Sequence, residues 1–370
     1  MVWIKEILLS FFISWGLTSI VIPRILLVSF KKKLFDVPDF RKAHKGLVPR
    51  LGGVSFFPNI FFSLSFVWSL HYLFFYKNDL NCAILPPGVS LIFCALVLLY
   101  LVGIMDDLIG VRYRQKFLVQ ICCGVLLVLS GTWINNLYGL FGIYEVSLYL
   151  SIPFTIFVVV FIINAINLID GIDGLASGLS GLAFLIFGIL FFLREQWIYS
   201  MLAFASFGVL VPFFFYNVFG NANKGRKIFM GDTGSLTIGM ILASLAIRFS
   251  MYDELFGKPC DGAIVIAFSL LITPMFDVVR VVIHRFRNGV HLFKPDRNHI
   301  HHKFLALGLS PRKAMILILT ISGIFAVSNI LLLPYINITL LLLSDIVVWT
   351  SMHIWITRKI KARNLVHKSC

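Results

Sequence analysis

Eleven apolar runs, each about as long as a bilayer crossing, follow one another along this chain with only short polar segments between them. They lie near residues 6–29, 52–76, 84–104, 117–133, 150–169, 175–193, 198–218, 233–250, 261–283, 315–335 and 337–357. A crossing helix needs about 20 mostly apolar residues. Backbone groups inside hydrocarbon must pair within their own segment, so runs of this length read as helices. With 59% hydrophobic and 13% charged residues over 370 positions, a soluble domain is excluded. The expected fold is all-α: a polytopic integral membrane helical bundle of about 11 transmembrane helices, one domain over 1–370, with its motifs within about 40–305. The runs at 117–133 and 175–193 are the weakest of the set.

Lysine and arginine give the orientation. One set of alternate loops holds Lys31, Lys32, Lys33, Arg41, Lys42, Lys45, Arg50, Arg112, Arg114, Lys116, Lys224, Arg226 and Lys227. It continues through Arg285, Arg287, Lys294, Arg297, Lys303, Arg312, Lys313 and the tail from Arg358. The other set holds little beyond Lys5, Lys77, Arg194, Arg248 and Lys258. The N-terminus is therefore expected outside and the C-terminus in the cytoplasm. Most of the net charge of +15 then faces the cytoplasm, where it fits topology and anionic lipid. Nothing points to nucleic acid. The first run lacks a small-residue cleavage signal and is expected to remain a helix. The six cysteines have neither metal nor redox spacing.

Against this background, carboxylates and histidines collect in four segments, all on the cytoplasmic side of the expected topology. An ionised Asp at a bilayer centre costs about 2.5–3.5 kcal/mol, so such groups persist near spans mainly where they meet water, a cation or a substrate. Asp106 and Asp107 end one apolar run; adjacent carboxylates repel, so one holds a proton or both share a cation, or they simply begin a solvated loop. Asn164, Asn167, Asp170 and Asp173 recur every three residues with Gly171 and Gly174 among them, a polar stripe that reads as a site or as a helix–helix seam. In Gly231-Asp232-Thr233-Gly234-Ser235 the free N–H groups of the next helix could bind an anion, and Asp232 reads as an N-cap or a hard-cation ligand. The fourth segment, Pro295-Asp296-Arg297-Asn298-His299-Ile300-His301-His302-Lys303, offers donors for a diphosphate or sugar more readily than a zinc site, for which no fourth ligand is evident. His44, Lys45, Arg50 and Gly52-Gly53 add candidate donors, whereas His71, His284, His291 and His353 receive no role.

In order and spacing these motifs (the Asp pair, NxxNxxDGxDGLA, GDxGS and the HxHH loop) resemble those of the polyprenyl-phosphate N-acetylhexosamine-1-phosphate transferases of glycosyltransferase family 4. The PDRNHIHH block is similar to the WecA- and TagO-like branch, whose members are undecaprenyl-phosphate GlcNAc-1-phosphate transferases. The enzyme that starts peptidoglycan lipid synthesis usually carries a TPTMGG loop where this chain has Val48-Pro49-Arg50-Leu51-Gly52-Gly53. The resemblance implies a multi-pass enzyme of the bacterial inner membrane with its site facing the cytoplasm. It implies transfer of a sugar-1-phosphate from a UDP-N-acetylhexosamine to undecaprenyl phosphate, with release of UMP, in the first membrane step of a cell-surface polysaccharide. Mg²⁺ is the implied cofactor, with Mn²⁺ as a substitute, and a homodimer is expected from relatives. Residue by residue, Asp232 is implied as metal ligand with Asn167 as the second. Asp106 is implied to activate the lipid phosphate and Asp107 to neighbour it. Lys116 is implied to bind phosphate, Asp170 and Asn164 to shape the site and Asp173 to contact uridine. Lys45, Arg297, His299, His301 and His302 are implied to hold the donor.

Two other readings stand beside this one. Charges near spans also mark transport paths, although no internal repeat relates the halves of this chain. Within the transferase reading, other donors such as an N-acetylated deoxysugar or phospho-N-acetylmuramoyl-pentapeptide remain open.

Overall fold

A segment rich in glycine, alanine, serine and threonine, residues 231–250, forms the axis around which the bundle packs. The computed structural model describes residues 2–35, 48–75, 87–252, 262–289, 291 and 298–369. Its helices are α1 (Val2–Lys32), α2 (Phe56–Phe75), α3 (Pro87–Ile109), α4 (Tyr113–Leu129), α5 (Leu148–Ile169), α6 (Leu175–Leu193) and α7 (Trp197–Val218). They continue as α8 (Gly231–Ser250), α9 (Ala263–Ser269), α10 (Ile272–Arg287), α11 (Ile300–Ala306), α12 (Pro311–Leu332) and α13 (Ile338–Ser369). α8 is enclosed from Thr233 to Ser250, with only Gly231 and Asp232 half-buried. Its small residues let neighbouring backbones come close, the usual solution where lipid gives no hydrophobic drive between helices. At Gly103 of α3 a Cβ would stand 2.4 Å from the Thr233 Cα, and at Gly239 of α8 one would stand 2.9 Å from the Ile163 Cα of α5.

Nine of the described helices are long and apolar enough to cross a membrane, and ten crossings result if the bent pair α9–α10 counts as one. The pair bends by 78°. Pro274, in the first turn of α10, has no N–H, and in an unbroken helix its ring would collide with the carbonyl four residues back, at Leu270. α4, at 17 residues, falls short of the length criterion. It nevertheless runs the length of α3, because Lys116 in its first turn meets Asp106 in the last turn of α3. At the other end Gly88 of α3 lies against the Ser130 carbonyl just past α4. Counted this way, α4 and the broken pair bring the crossings to the eleven expected.

The contacts also sort the ends of the bundle. Trp3 stacks on Trp197 at the start of α7, at 5.7 Å between centroids, whereas Phe30 reaches Gly225 in the loop ahead of α8. Lys303 donates to Thr357 of α13 at 3.0 Å, and Arg363 donates to the Leu307 carbonyl. The N-terminus thus lies at the end away from the four motifs, and the C-terminal part of α13 lies beside them. One departure from the all-helical expectation is a small antiparallel hairpin at the far end, β1 (Asn136–Leu140) and β2 (Ile143–Glu145). Its turn uses positive φ at Gly139, Phe141 and Gly142. The Phe141 N–H is tied to the Thr339 hydroxyl at 2.8 Å.

The closeness of α3 and α8 is open to test. Gly103→Ala sets a methyl against backbone atoms of Thr233, which cannot rotate away, and overpacking of this kind costs about 1–3 kcal/mol. A thermal-shift measurement in detergent should show a lower midpoint for the variant. An unchanged midpoint would mean that the two helices do not need this contact.

Candidate active site

Four helix ends bring the polar motifs together at one end of the bundle. α3 delivers Asp106 in its last turn and α4 delivers Lys116 in its first, joined by a turn at Gly110 with φ of 76°. Asp106 accepts from the Val111 N–H at 2.6 Å and from Lys116 Nζ at 2.8 Å. The same ammonium reaches the Asp232 carboxylate at 2.5 Å. Asn167, in the last turn of α5, donates to Asp232 at 3.1 Å and to the Ser235 hydroxyl at 2.8 Å. Asp232 is not the N-cap of α8; that position is Met230, and the Asp232 side chain points into the cluster instead. Two carboxylates and a carboxamide therefore gather around one cationic position.

Asp107, next in sequence to Asp106, turns the other way. Its carboxylate accepts from the Asp232 N–H at 2.7 Å, the Thr233 N–H at 3.0 Å and the Thr233 hydroxyl at 2.6 Å. The N–H groups that the sequence reading offered to a bound anion are therefore already taken, by a carboxylate of the protein itself. Gly53 packs so tightly here that a Cβ would stand 2.1 Å from the Gly234 N. The Gly52 and Gly53 N–H groups donate to the Phe229 and Met230 carbonyls at 3.0 and 2.8 Å, so they brace the loop ahead of α8.

The turn between α5 and α6 carries Asp170, Gly171, Asp173 and Gly174. Asp170 reaches solvent, yet protein atoms and other charged groups crowd its surroundings. The poor hydration there, reinforced by the nearby carboxylates of Asp232 and Asp173, pushes its carboxyl up to about 7. Asp173 pairs with Lys227 at 2.6 Å. The Gly174 N–H donates to Asn217 at 2.6 Å, and Asn217 in turn donates to the Ile228 carbonyl at 2.8 Å. Asn164 stays apart: its amide donates to Gln120 of α4 at 2.6 Å and to the Val160 carbonyl, so it serves the α4–α5 seam.

The histidine block abuts this turn. His301 is 1% exposed, and a Cβ at Gly171 would stand 2.1 Å from its Nε2. Burial, and then the neighbouring His302, hold its ring down to about 3, so it is neutral at physiological pH. Neither ring nitrogen of His301 has a hydrogen-bond partner among the described residues, although both are buried. His302 packs on His301 with 4.2 Å between ring centroids. His299 contacts the Asp277 carboxylate through Nδ1 at 2.8 Å. Lys303 is lowered to about 8, by burial first and the Arg280 guanidinium second. Lys45 and Arg297 lie outside the described residues. Sequence reasoning missed Lys227 and Asp277; the signal for Asp277 was a carboxylate in the middle of the apolar run at 261–283.

Among the described residues no three His, Cys, Asp or Glu side chains form a metal group by themselves. Asp106, Asp232 and Asn167 nonetheless suit a magnesium ion, which takes hard oxygen donors, typically one or two carboxylates with the rest from phosphate and water. Lys116 Nζ, set between the two carboxylates, marks where positive charge is held.

Residues 89–250 match the profile of glycosyl transferase family 4. The chain is also similar to the undecaprenyl-phosphate alpha-N-acetylglucosaminyl 1-phosphate transferase of Salmonella typhi. The two are 34% identical over 305 residues, 81% of this chain and 76% of the relative. The protein of the same name from Escherichia coli K12 is 30% identical over 330 residues, covering 86% and 83%. That from Haemophilus influenzae is 30% identical over 300 residues, covering 80% and 79%.

The Asp170 carboxyl predicts a pH signature in the ligand-free protein. With a folded value of about 7 against an ordinary 3.8, the folded state holds this proton more tightly than the unfolded state. The resulting stabilisation is complete below 3.8 and lost as pH rises through 7. Asp170→Asn cannot ionise, so its melting midpoint should gain on the wild type across that window and keep the gain above it. Midpoints that move in parallel from pH 4 to 8 would place Asp170 in ordinary solvent.

Proposed function

This chain belongs to glycosyl transferase family 4, and on that premise we propose that it transfers N-acetylglucosamine-1-phosphate from UDP-N-acetylglucosamine to undecaprenyl phosphate. The products are UMP and a lipid-linked sugar diphosphate, the starting unit of a cell-surface polysaccharide. The single observation that carries this reading is the convergence of Asp106, Asp232, Asn167 and Lys116 at one end of a membrane bundle. There a water-soluble anionic donor and a lipid phosphate can both reach the same few ångströms.

In the proposed reaction an oxygen of the lipid phosphate attacks the sugar-bearing phosphorus of the donor. The bond from that phosphorus to the bridging oxygen breaks in line, and UMP leaves with the electron pair. A phosphate monoester is already largely ionised at neutral pH, its second pKa being about 6, so no strong base is required. Asp106 therefore orients more than it deprotonates. Direct attack is favoured over an aspartyl intermediate because both aspartates of the pair are engaged, Asp106 with Lys116 and Val111, Asp107 with the start of α8.

Asp106, Asp232 and Asn167 would hold Mg²⁺, or Mn²⁺ in its place, and the ion would neutralise charge on the diphosphate. Lys116 supplies a further positive charge to the phosphates. Neutral His301, with two unpartnered ring nitrogens, offers one donor and one acceptor to the sugar or diphosphate. His299 and His302 flank it, and Arg297 and Lys45 are expected to add cationic donors. Asp173, paired with Lys227, is assigned to the uridine end and Asp170 to the floor between the two. The motif-bearing end is assigned to the cytoplasmic face of the inner membrane. Arg112, Arg114, Lys224, Arg285, Arg287, Lys313 and Arg358 cluster toward that end, as the positive-inside rule requires.

Purified enzyme in detergent, given undecaprenyl phosphate, Mg²⁺ and UDP-N-acetylglucosamine, should release UMP and form a lipid-linked product. EDTA should stop the release and added Mg²⁺ restore it, while Asp232→Ala should lower kcat by at least about 100-fold. UMP release that survives EDTA, or near-normal turnover by the variant, would remove the metal and Asp232 from the mechanism. A panel of other UDP-N-acetylhexosamines in the same assay reads the donor preference.

A further inference from the structure

Among the described residues Asp277 is the most enclosed carboxylate outside the cluster just described, with its side chain 0% exposed. It sits on α10, in a run that is otherwise apolar from Ile272 to Val279 apart from Thr273. Three donors converge on it. Oδ2 takes the contact from His299 Nδ1 at 2.8 Å, and Oδ1 accepts from the Ile300 N–H at 3.0 Å and from Arg280 at 2.8 Å. Arg280 also donates to the Asn298 carbonyl. Residues 298, 299 and 300, the lead-in to α11, are thus fastened to α10 at three successive positions.

Two consequences follow from the chemistry. A carboxylate accepts, so its contact with His299 is made by the ring N–H at Nδ1 and leaves Nε2 clear of Asp277. The Ile300 N–H is one of the first donors of α11, which no residue of α11 itself can satisfy. With the helix start fixed, the next residue on, His301, is carried against Gly171, where there is no room for even a methyl group. The His299 and His301 rings lie nearly parallel, with centroids 5.9 Å apart and planes inclined by 5°. Arg280 and Lys303 also crowd this corner, and Asp277 is the negative charge among them.

We propose that Asp277 is a positioning residue for donor binding: it fixes His299 and the start of α11 together and so seats His301 against the Asp170–Gly174 turn. The proposal rests on the reading that the histidine block holds the UDP-sugar.

The experiment compares wild type, Asp277→Asn, His299→Ala and the double variant in the detergent assay. Asn keeps the shape of Asp277 but loses its charge and one of its two acceptor oxygens. Asp277→Asn should raise KM for UDP-N-acetylglucosamine by about tenfold, the scale of losing a charged hydrogen bond, and leave KM for undecaprenyl phosphate within twofold. The double variant should be no worse than the poorer single one, because the two residues act as one unit. Independent, multiplying effects, or equal rises in both KM values, would overturn the proposal. Hydrogen exchange over residues 298–306 needs no substrate and should quicken in Asp277→Asn; unchanged exchange would also overturn it. If wild type turns over no UDP-sugar, the functional reading fails, while the exchange result still decides whether Asp277 holds the loop. Should Asp277→Asn not fold, Arg280→Gln loosens the same lead-in from the edge of α10 and should give the same donor-selective rise, smaller in size. No rise in that variant would count against the proposal.

Discussion

The carboxylate of Asp107 on the first turn of α8 is the contact on which the rest of the site depends. α8 is enclosed from Thr233 onward. A helix leaves its first N–H groups without partners, and a buried donor left unpaired costs about 1–3 kcal/mol. Asp107 satisfies two of these N–H groups and the Thr233 hydroxyl. Because Asp107 belongs to the last turn of α3, the cap is also a cross-link between helices. It fixes α3 and α8 at one depth and sets Asp106 and Asp232 on either side of Lys116. The glycines at 53 and 103 make the approach sterically feasible, and the charge makes it hold.

Asp277 repeats the device at the other side of the site. It too is a buried carboxylate that accepts a first-turn N–H from a different helix and, in the same contact, orients a polar side chain. The carboxylates of this chain therefore divide by how many fixed protein donors each one has. Asp107 and Asp277 have three apiece. Asp106 and Asp232 share a lysine, and Asp170 stands exposed at its turn with a raised proton affinity. Chemistry falls to the second group because its oxygens can exchange partners without releasing a helix end.

Much of this was legible in the sequence because the bilayer permits so few solutions. Apolar runs fixed the number of crossings, and even α4, one turn shorter than most, kept its place through its pairing with α3. The four motifs met as expected because each stands at a helix end on the same side. What the sequence did not reveal depends on side-chain direction. Asn164 falls on the same three-residue spacing as Asn167, yet three residues on a helix drift by about 60°, enough to turn it toward Gln120. Asp106 and Asp107 are indistinguishable as letters, although one faces Lys116 and the other a helix terminus. Lys227 and Asp277 lie outside the recognised motifs, and only their partners give them meaning. The hairpin at 136–145 escaped notice because its turn relies on positive φ at Phe141, a residue that does not advertise such a turn.

The same geometry weighs against transport as the purpose of the polar residues. A path across the bundle would need polar groups in contact from one end to the other. α8, the central helix, carries its site residues only in its first turn. Further along, the Thr237 and Ser244 hydroxyls donate to carbonyls of their own helix, at Thr233 and Ile241. Between them lie Ile238, Met240, Ile241 and Leu242, all fully buried. Arg248 is at the opposite end, over the ring of Tyr199. Along this axis the charged and site-forming groups, Arg248 apart, are confined to the first turn, while the hydroxyls beyond it are spent on their own helix. A carrier would need its binding groups near the bilayer midplane, reachable from both sides in turn. An enzyme whose acceptor is anchored at the interface needs them where this chain has them.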